Sequence, residues 1–148
     1  MKRFDLPPVW LAVCLLIAWE LTQIFPQTKA SIPFQGMMAA LLFVAGLLLT
    51  VLAMTEMARA KTTIIPRKDP SALVTSGIFR FTRNPIYLGD LFFLGAGIMF
   101  WGSISALPLL WLFPKLIERR FIEDEEAKMR VHFGDEFEHW ALKTRRWL

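Results

Sequence analysis

The chain has 148 residues, of which 55% are hydrophobic and 20% charged, and its net charge is +4. This composition excludes an ordinary soluble domain, because such domains carry about 25% charged residues and avoid long uncharged stretches. It does not indicate nucleic-acid binding, since the cations lie beside the ends of apolar stretches, where attraction to anionic membrane lipids accounts for them. The single cysteine, Cys14, lies inside an apolar stretch, so we expect no disulfide framework and no bound metal.

Four apolar stretches predict an all-α, polytopic membrane protein of one domain, residues 1–148. The predicted transmembrane spans are 9–25, 34–54, 86–101 and 104–117. The last two are short for a bilayer crossing of about 20 residues. Only Trp101, Gly102 and Ser103 separate them, which predicts a tight helical hairpin. We expect the fourth span to continue outside the bilayer as amphipathic helices.

The cations predict the orientation of these spans. Lys2 and Arg3 precede the first span, and eight cations lie from Lys115 onward, whereas Lys29 is alone in the first-to-second loop. The second-to-third loop carries Arg59, Lys61, Arg67, Lys68, Arg80 and Arg83. By the positive-inside rule both termini and this middle loop are cytoplasmic. We therefore expect an integral protein of a bacterial inner (cytoplasmic) membrane, with membrane lipids as partners.

Residues 62–87 form the first polar segment, which prolines and a glycine interrupt too often for a long helix. Asn84 followed by Pro85 is a helix-start signature, because asparagine is a preferred N-cap and proline suits the first helical position. The third span is therefore predicted to begin at Pro85. Its unpaired N–H groups and positive dipole end attract carboxylates and phosphates, and Arg83 adds to that field.

Several residues of the third span leave two interpretations open. Tyr87 is only weak evidence for a binding site, since tyrosine is common at membrane interfaces. Asp90 is costly inside a span and is expected to face a cavity or a partner, unless it is shallow enough to be hydrated. Gly95 and Gly97 narrow the helix, which serves either close helix packing or room for a ligand.

Residues 118–148 form the second polar segment, and its first part has helical periodicity. At 100° per residue, Glu118, Glu125 and His132 fall among the apolar residues, which makes Glu125 a candidate ligand-binding acid. The predicted solvent-exposed face consists of Arg119, Glu123, Glu126 and Arg130. Gly134 is predicted to end this helix, and a second amphipathic helix on the membrane surface follows it.

Three segments carry a family resemblance: "LVTSGIFRFTRNPIYLG", "EEAKMRVHFGDEFEHW" and the terminal "RRWL". Together they resemble the integral-membrane methyltransferases of the isoprenylcysteine carboxyl methyltransferase and phospholipid methyltransferase superfamily. The resemblance covers roughly the C-terminal half of the chain. It implies a helical membrane enzyme that uses S-adenosylmethionine without a Rossmann domain.

The resemblance also implies which residues contact the cofactor. They are Ser71, Ala72, Leu73, Val74, Phe79, Asn84, Pro85, Ile86, Tyr87 and Glu125, with Gly95, Gly97 and Glu126 added by the phospholipid branch. Arg83 and Arg120 are the predicted substrate-binding residues. Eukaryotic isoprenylcysteine enzymes have an arginine one turn before the first acid, where this chain has Phe121, and Arg120 is its neighbour.

The expected reaction is methyl transfer to a lipophilic acceptor from the bilayer, with isoprenylcysteine-type carboxyl O-methylation as the leading interpretation. The residues leave two alternatives open. One is N-methylation of a phospholipid amine. The other is a non-enzymatic membrane scaffold whose basic loops hold lipid or a protein partner.

Overall fold

The computed structural model describes residues 5–62 and 71–148. Within these ranges the fold is helical apart from one isolated bridge between Lys29 and Ser103, so the all-α prediction is confirmed. The α-helices are α1 (Pro7–Ile24), α2 (Gln35–Arg59), α3 (Pro85–Trp101), α4 (Leu109–Ile117) and α5 (Glu123–Lys143). Four cations of the orientation argument, Lys2, Arg3, Arg67 and Lys68, lie outside the described residues, as does part of the predicted loop, 63–70.

The helices α1 and α2 correspond to the first two predicted spans, and both are long and apolar enough to cross a bilayer. Many of their large apolar side chains point outward, and Leu16, Ile24 and Leu41 are each 62% exposed. So continuous an apolar surface is costly in water and suits contact with lipid. The third helix, α3, is apolar but has 17 residues.

α3 begins at Pro85, as the Asn-Pro pair predicts, and ends at Trp101. Gly102 caps it with a φ of +66°, in the left-handed region that glycine tolerates. A Cβ atom at Gly102 would overlap the carbonyl oxygen of Ala30, so a larger residue does not fit. The turn after α3 is therefore held against the connection between α1 and α2.

The fourth predicted span starts too early. A short 3₁₀ helix, Ile104–Ala106, precedes α4, whose first residue is Leu109. Pro108 occupies the N-cap position of α4 with a φ of −56°, a backbone angle that suits a helix start. Residues 104–117 are almost uniformly apolar, and this composition conceals the break at the proline.

A π-helical turn, Glu118–Ile122, joins α4 to α5 without a loop. In this turn the backbone N–H of Glu123 donates to the carbonyl oxygen of Glu118. Compared with an α-helix the turn contains one additional residue, so the side chains that follow are rotated by about 100°. Gly134 separates two helical segments of α5, as predicted, because its backbone is non-helical (φ 49°, ψ −124°) and the second segment continues from it to Lys143.

α3 lies at the centre of the fold. Its buried residues Leu94 and Ile98 belong to a core that includes α1 and the π-helical turn, where Phe121 and Ile122 are fully buried. On its other side α3 approaches α2 so closely that a Cβ atom at Gly46 or Gly89 would lie 2.9 Å from the carbonyl oxygen of the other glycine. These contacts fix α3 relative to α1, α2 and the π-helical turn.

Candidate active site

A cavity of about 420 Å³ lies where the start of α1, the end of α2, the start of α3 and the helix α5 meet. Its volume falls in the range typical of small-molecule sites, about 300–1,000 Å³. The predicted site residues that line it are Ala72, Leu73, Val74, Phe79, Arg83, Asn84, Pro85, Ile86, Tyr87, Glu125 and Glu126. Two segments that are distant in the sequence thus share one cavity.

The remaining four predicted residues do not line this cavity. The Ser71 hydroxyl donates to the Lys61 carbonyl oxygen at 2.9 Å, beside the end of α2. A Cβ atom at Gly97 would lie 2.7 Å from Leu15 of α1, so this glycine permits helix packing. Gly95 lines a second, apolar cavity of about 380 Å³ between α2, α3 and α4.

Arg120 also lies outside the cavity. Its Nε atom is 2.7 Å from Oδ1 of Asp5, and its guanidinium lies over the ring of Trp10 at 4.8 Å from the centroid. These partners lie next to the start of α1, whose first residues line the cavity, so the substrate-binding role of Arg120 stays a prediction.

Tyr87 and Glu125 meet across the cavity. The Tyr87 hydroxyl donates to Oε1 of Glu125 at 2.7 Å, and the tyrosine is buried. The hydroxyl orients one oxygen of a carboxylate that the helical pattern had identified as a candidate ligand. The residue pattern alone gave Tyr87 little weight as an interfacial tyrosine, whereas the family resemblance included it among the cofactor contacts. Its position in the first turn of α3 was the available signal.

Glu126 is the centre of an arginine cluster, which comprises Glu118, Glu126, Arg83 and Arg146. Arg146 binds Glu126 with two nitrogens, Nε at 3.0 Å from Oε1 and Nη2 at 2.7 Å from Oε2. Arg83 Nη1 is 2.9 Å from Oε1 of Glu126, and Arg146 also contacts Glu118. The hydrogen bond to Glu126 raises the pKa of Arg146, whereas burial lowers the pKa of Arg83.

The predicted faces of the second segment need three corrections. Glu126 is 5% exposed and is not on a solvent-exposed face, because the C-terminal segment 144–148 returns over it. Glu118 aligns with Glu126 instead of Glu125, since the additional residue of the π-helical turn rotates α5. His132 shares a face with Glu125 but is exposed, because it lies about 10 Å farther along α5.

The C-terminal segment also holds the residues before α3. The carbonyl oxygen of Arg146 accepts hydrogen bonds from Thr82 Oγ1 at 3.1 Å and from Asn84 Nδ2 at 3.0 Å. Asn84 therefore occupies the N-cap position without capping α3 through its side chain. The carbonyl of Arg145 accepts from the backbone N–H of Arg83 at 2.9 Å.

Sequence reasoning missed two residues that connect the loop before α3 to the C-terminal part of the chain. Arg146 is the first, and the terminal "RRWL" was its signal. Trp140 is the second: it lines the cavity, and its Nε1 donates to the carbonyl oxygen of Phe79 at 3.2 Å. No signal in the sequence distinguished Trp140 from an interfacial tryptophan.

Two polar groups in the cavity wall lack a partner within the described part of the chain. Arg83 Nε is buried and forms no hydrogen bond. Asp90 is 8% exposed, lines the cavity, and forms no hydrogen bond or ion pair with the residues that the structure describes. Buried polar groups are nearly always paired in folded proteins, so unpaired ones indicate positions for a ligand or for water.

Comparison with known proteins gives two kinds of match. The model of the family described as phospholipid methyltransferase matches residues 34–136. A protein of Oryza sativa subsp. indica named "Probable protein-S-isoprenylcysteine O-methyltransferase" is 27% identical over 139 residues, covering 90% of this chain and 72% of the relative. A protein of the same name from Oryza sativa subsp. japonica matches equally. No solved structure matches.

Proposed function

Because the chain belongs to the phospholipid methyltransferase family and is thus a methyltransferase, we propose that its cavity binds S-adenosylmethionine and that it methylates a lipophilic acceptor at the membrane interface. The observation that carries the proposal is the cavity itself, in which eleven of the fifteen predicted site residues are assembled from both polar segments. The scaffold alternative loses its support, since family membership indicates catalysis.

The residues of the cavity fit the proposed cofactor. Arg83 Nε is a buried donor without a partner, and the first turn of α3 has no side-chain cap, so both suit the cofactor's carboxylate. Glu125 suits its amino group or ribose hydroxyls. Val74 and Phe79 provide an apolar wall for the adenine ring.

Methyl transfer requires the protein mainly to position the reactants. When bound, S-adenosylmethionine supplies an activated methyl group on a sulfonium, and the reaction is an in-line displacement. The chain's contribution is therefore to hold the two reactants in line and to exclude water. The Tyr87–Glu125 hydrogen bond and the arginine cluster fix the polar walls that perform this positioning.

We place the cavity on the cytoplasmic side of a bacterial inner membrane. In this arrangement α1, α2 and α3 each cross the bilayer. A fourth crossing consists of α4 together with the π-helical turn, and α3 and α4 form a hairpin. The start of α1, the end of α2 and the start of α3 share the cavity, which supports a common side for them. The cations of the middle loop and C-terminal segment support the cytoplasm as that side.

For the acceptor we propose an isoprenylcysteine-type carboxylate. This choice is supported by the names of the two rice relatives. The family description supports the second candidate, a phospholipid amine. Membranes that contain the protein can be incubated with cofactor labelled at the methyl group, in the presence of a prenylcysteine analogue. Label in the analogue supports O-methylation, whereas label confined to extracted phospholipid overturns it.

Calorimetric titration of the purified protein with S-adenosylhomocysteine tests the cofactor assignment directly. We expect saturable binding in the wild type and its loss in Glu125→Ala. Asp124→Ala is the matched control, since it removes an exposed acid from the adjacent position of α5 and should leave binding unchanged. Absence of binding to a folded wild-type protein would contradict the proposal.

A further inference from the structure

Asp90 stands apart from the other acids of the cavity. It lies one turn after Tyr87 on α3, it is 8% exposed, and it lines the cavity. Glu125 accepts a hydrogen bond from Tyr87, and Glu126 is paired with three arginines, Arg83, Arg130 and Arg146. Within the described ranges Asp90 has neither a hydrogen bond nor an ion pair. An ionised carboxylate in such a position is costly unless a cation compensates it.

The neighbouring helix does not provide that compensation. Thr50 of α2 also lines the cavity, but its hydroxyl donates to the carbonyl oxygen of Gly46 at 3.0 Å. The cations in the cavity wall, Arg83 and Lys128, form no ion pair with Asp90, and Arg83 is engaged by Glu126. Among residues 5–62 and 71–148, Asp90 is therefore a buried acid at the cavity without a partner of its own.

The proposed reaction brings one cation into this cavity with every turnover. The methyl donor carries a positive sulfonium. During transfer the bond between sulfur and the methyl carbon breaks, and its electron pair remains on sulfur, which becomes a neutral thioether. A lone pair of the acceptor forms the new bond to the methyl carbon. The sulfur atom is thus positively charged before transfer and neutral after it. A carboxylate acceptor becomes a neutral ester, whereas an amine acceptor takes the positive charge onto its nitrogen.

We propose that Asp90 interacts electrostatically with the sulfonium of the bound methyl donor and so makes the site favour the charged donor over the neutral product. This inference rests on the proposed function, because it requires the donor to occupy the cavity. Asp90 would thus help the site to distinguish the methyl donor from its product. This role is the same for both acceptor candidates. The carboxylate attracts the cation before transfer and contributes little to holding the product afterwards.

The experiment compares three ligands on the purified full-length protein by calorimetry. They are S-adenosylmethionine, S-adenosylhomocysteine, which lacks the sulfonium, and sinefungin, which carries an amine in place of the sulfonium. In Asp90→Asn we expect the Kd values for S-adenosylmethionine and sinefungin to rise about tenfold, as for loss of one charge-assisted contact. The Kd for S-adenosylhomocysteine should stay within about twofold.

Control variants separate the possible outcomes. Asp124→Asn removes an exposed acid and should leave all three Kd values unchanged. Asp90→Ala provides the same test if Asp90→Asn does not fold. Equal changes for charged and neutral ligands, or no change at all, overturn the role of Asp90. Failure of the wild type to bind any of the three ligands instead contradicts the proposed function.

Discussion

The two sides of the cavity differ in how their charged groups are satisfied. On the side of α5 and the C-terminal segment, the arginine cluster pairs Glu118 and Glu126 with Arg83 and Arg146. On the side of α3, Asp90 is about as buried as Glu126 but has no partner within the described residues. Paired ions of this kind connect helices, whereas an unpaired one remains available to a ligand. The difference distinguishes structural charges from binding charges within a single cavity.

The largest effect is expected from deleting Arg119 in the π-helical turn. Removing one residue converts the turn to a regular α-helix and rotates α5 by about 100°. Glu125 then moves away from Tyr87, and Glu126 loses its alignment with Glu118. We expect calorimetry to detect no binding of S-adenosylhomocysteine, with helix content retained by circular dichroism. Arg119→Ala is the control and should bind normally, because Arg119 is exposed. Normal binding by the deletion variant would contradict the register argument.

Arg146→Ala tests the arginine cluster. It leaves buried Glu126 without its two-nitrogen partner, and breaking such a pair costs about 3–5 kcal/mol. We expect a loss of about 3 kcal/mol in the free energy of unfolding, at the low end because the Arg146 side chain is 30% exposed. Denaturant titration in detergent measures it. Arg145→Ala should change the same quantity by less than about 0.5 kcal/mol, since its side chain is exposed. Equal losses in both variants would argue against a structural role for the cluster.

Tyr87→Phe tests the contact between the two sides of the cavity. The substitution keeps the buried ring and removes the 2.7 Å hydrogen bond to Glu125. Since a hydrogen bond to a charged group contributes about 1.5–3 kcal/mol, we expect roughly tenfold weaker binding of S-adenosylhomocysteine. The unfolding midpoint should also fall, because the same hydrogen bond joins α3 to α5 in the unliganded protein. Unaltered affinity would show that the hydroxyl does not prepare Glu125 for a ligand.

The smallest effect is expected for Asp90→Asn in the absence of ligand. Removing an unpaired buried charge should leave the free energy of unfolding unchanged or raise it by about 1 kcal/mol. The same denaturant titration used for Arg146→Ala gives a direct comparison. A marked loss of stability in Asp90→Asn would mean that Asp90 is structurally paired, and the contrast between the two sides would disappear.

Local sequence signals predicted much of the fold and part of the site. The Asn84-Pro85 pair located the start of α3 because proline's backbone angle and missing N–H act locally. The 3.6-residue period placed Glu125 on an inward face because the helix after the π-helical turn is regular up to Gly134. Uniformly apolar composition was less informative for α4, whose start at Leu109 depends on a single proline.

The remainder of the site depends on contacts between residues that are far apart in the sequence. A helical wheel assumes one constant period, so it cannot include the additional residue in Glu118–Ile122. Nor does it register that Arg146 returns to cover Glu126, a contact across 20 positions. The wheel therefore assigned Glu126 to solvent. Tyr87 was ambiguous for a similar reason, because its partner lies 38 positions away.

The contact between Gly46 and Gly89 restricts how a molecule from the lipid can reach the cavity. There the backbones of α2 and α3 touch, one turn before Thr50 in α2 and directly before Asp90 in α3, and both of these residues line the cavity. A hydrocarbon chain cannot pass between two backbones that exclude even a methyl group. The start of α1, where Leu6, Pro7 and Pro8 line the cavity, borders a different side. A lipophilic acceptor is therefore expected to reach the cavity from the bilayer on the side of α1, and this helix then borders the entry route.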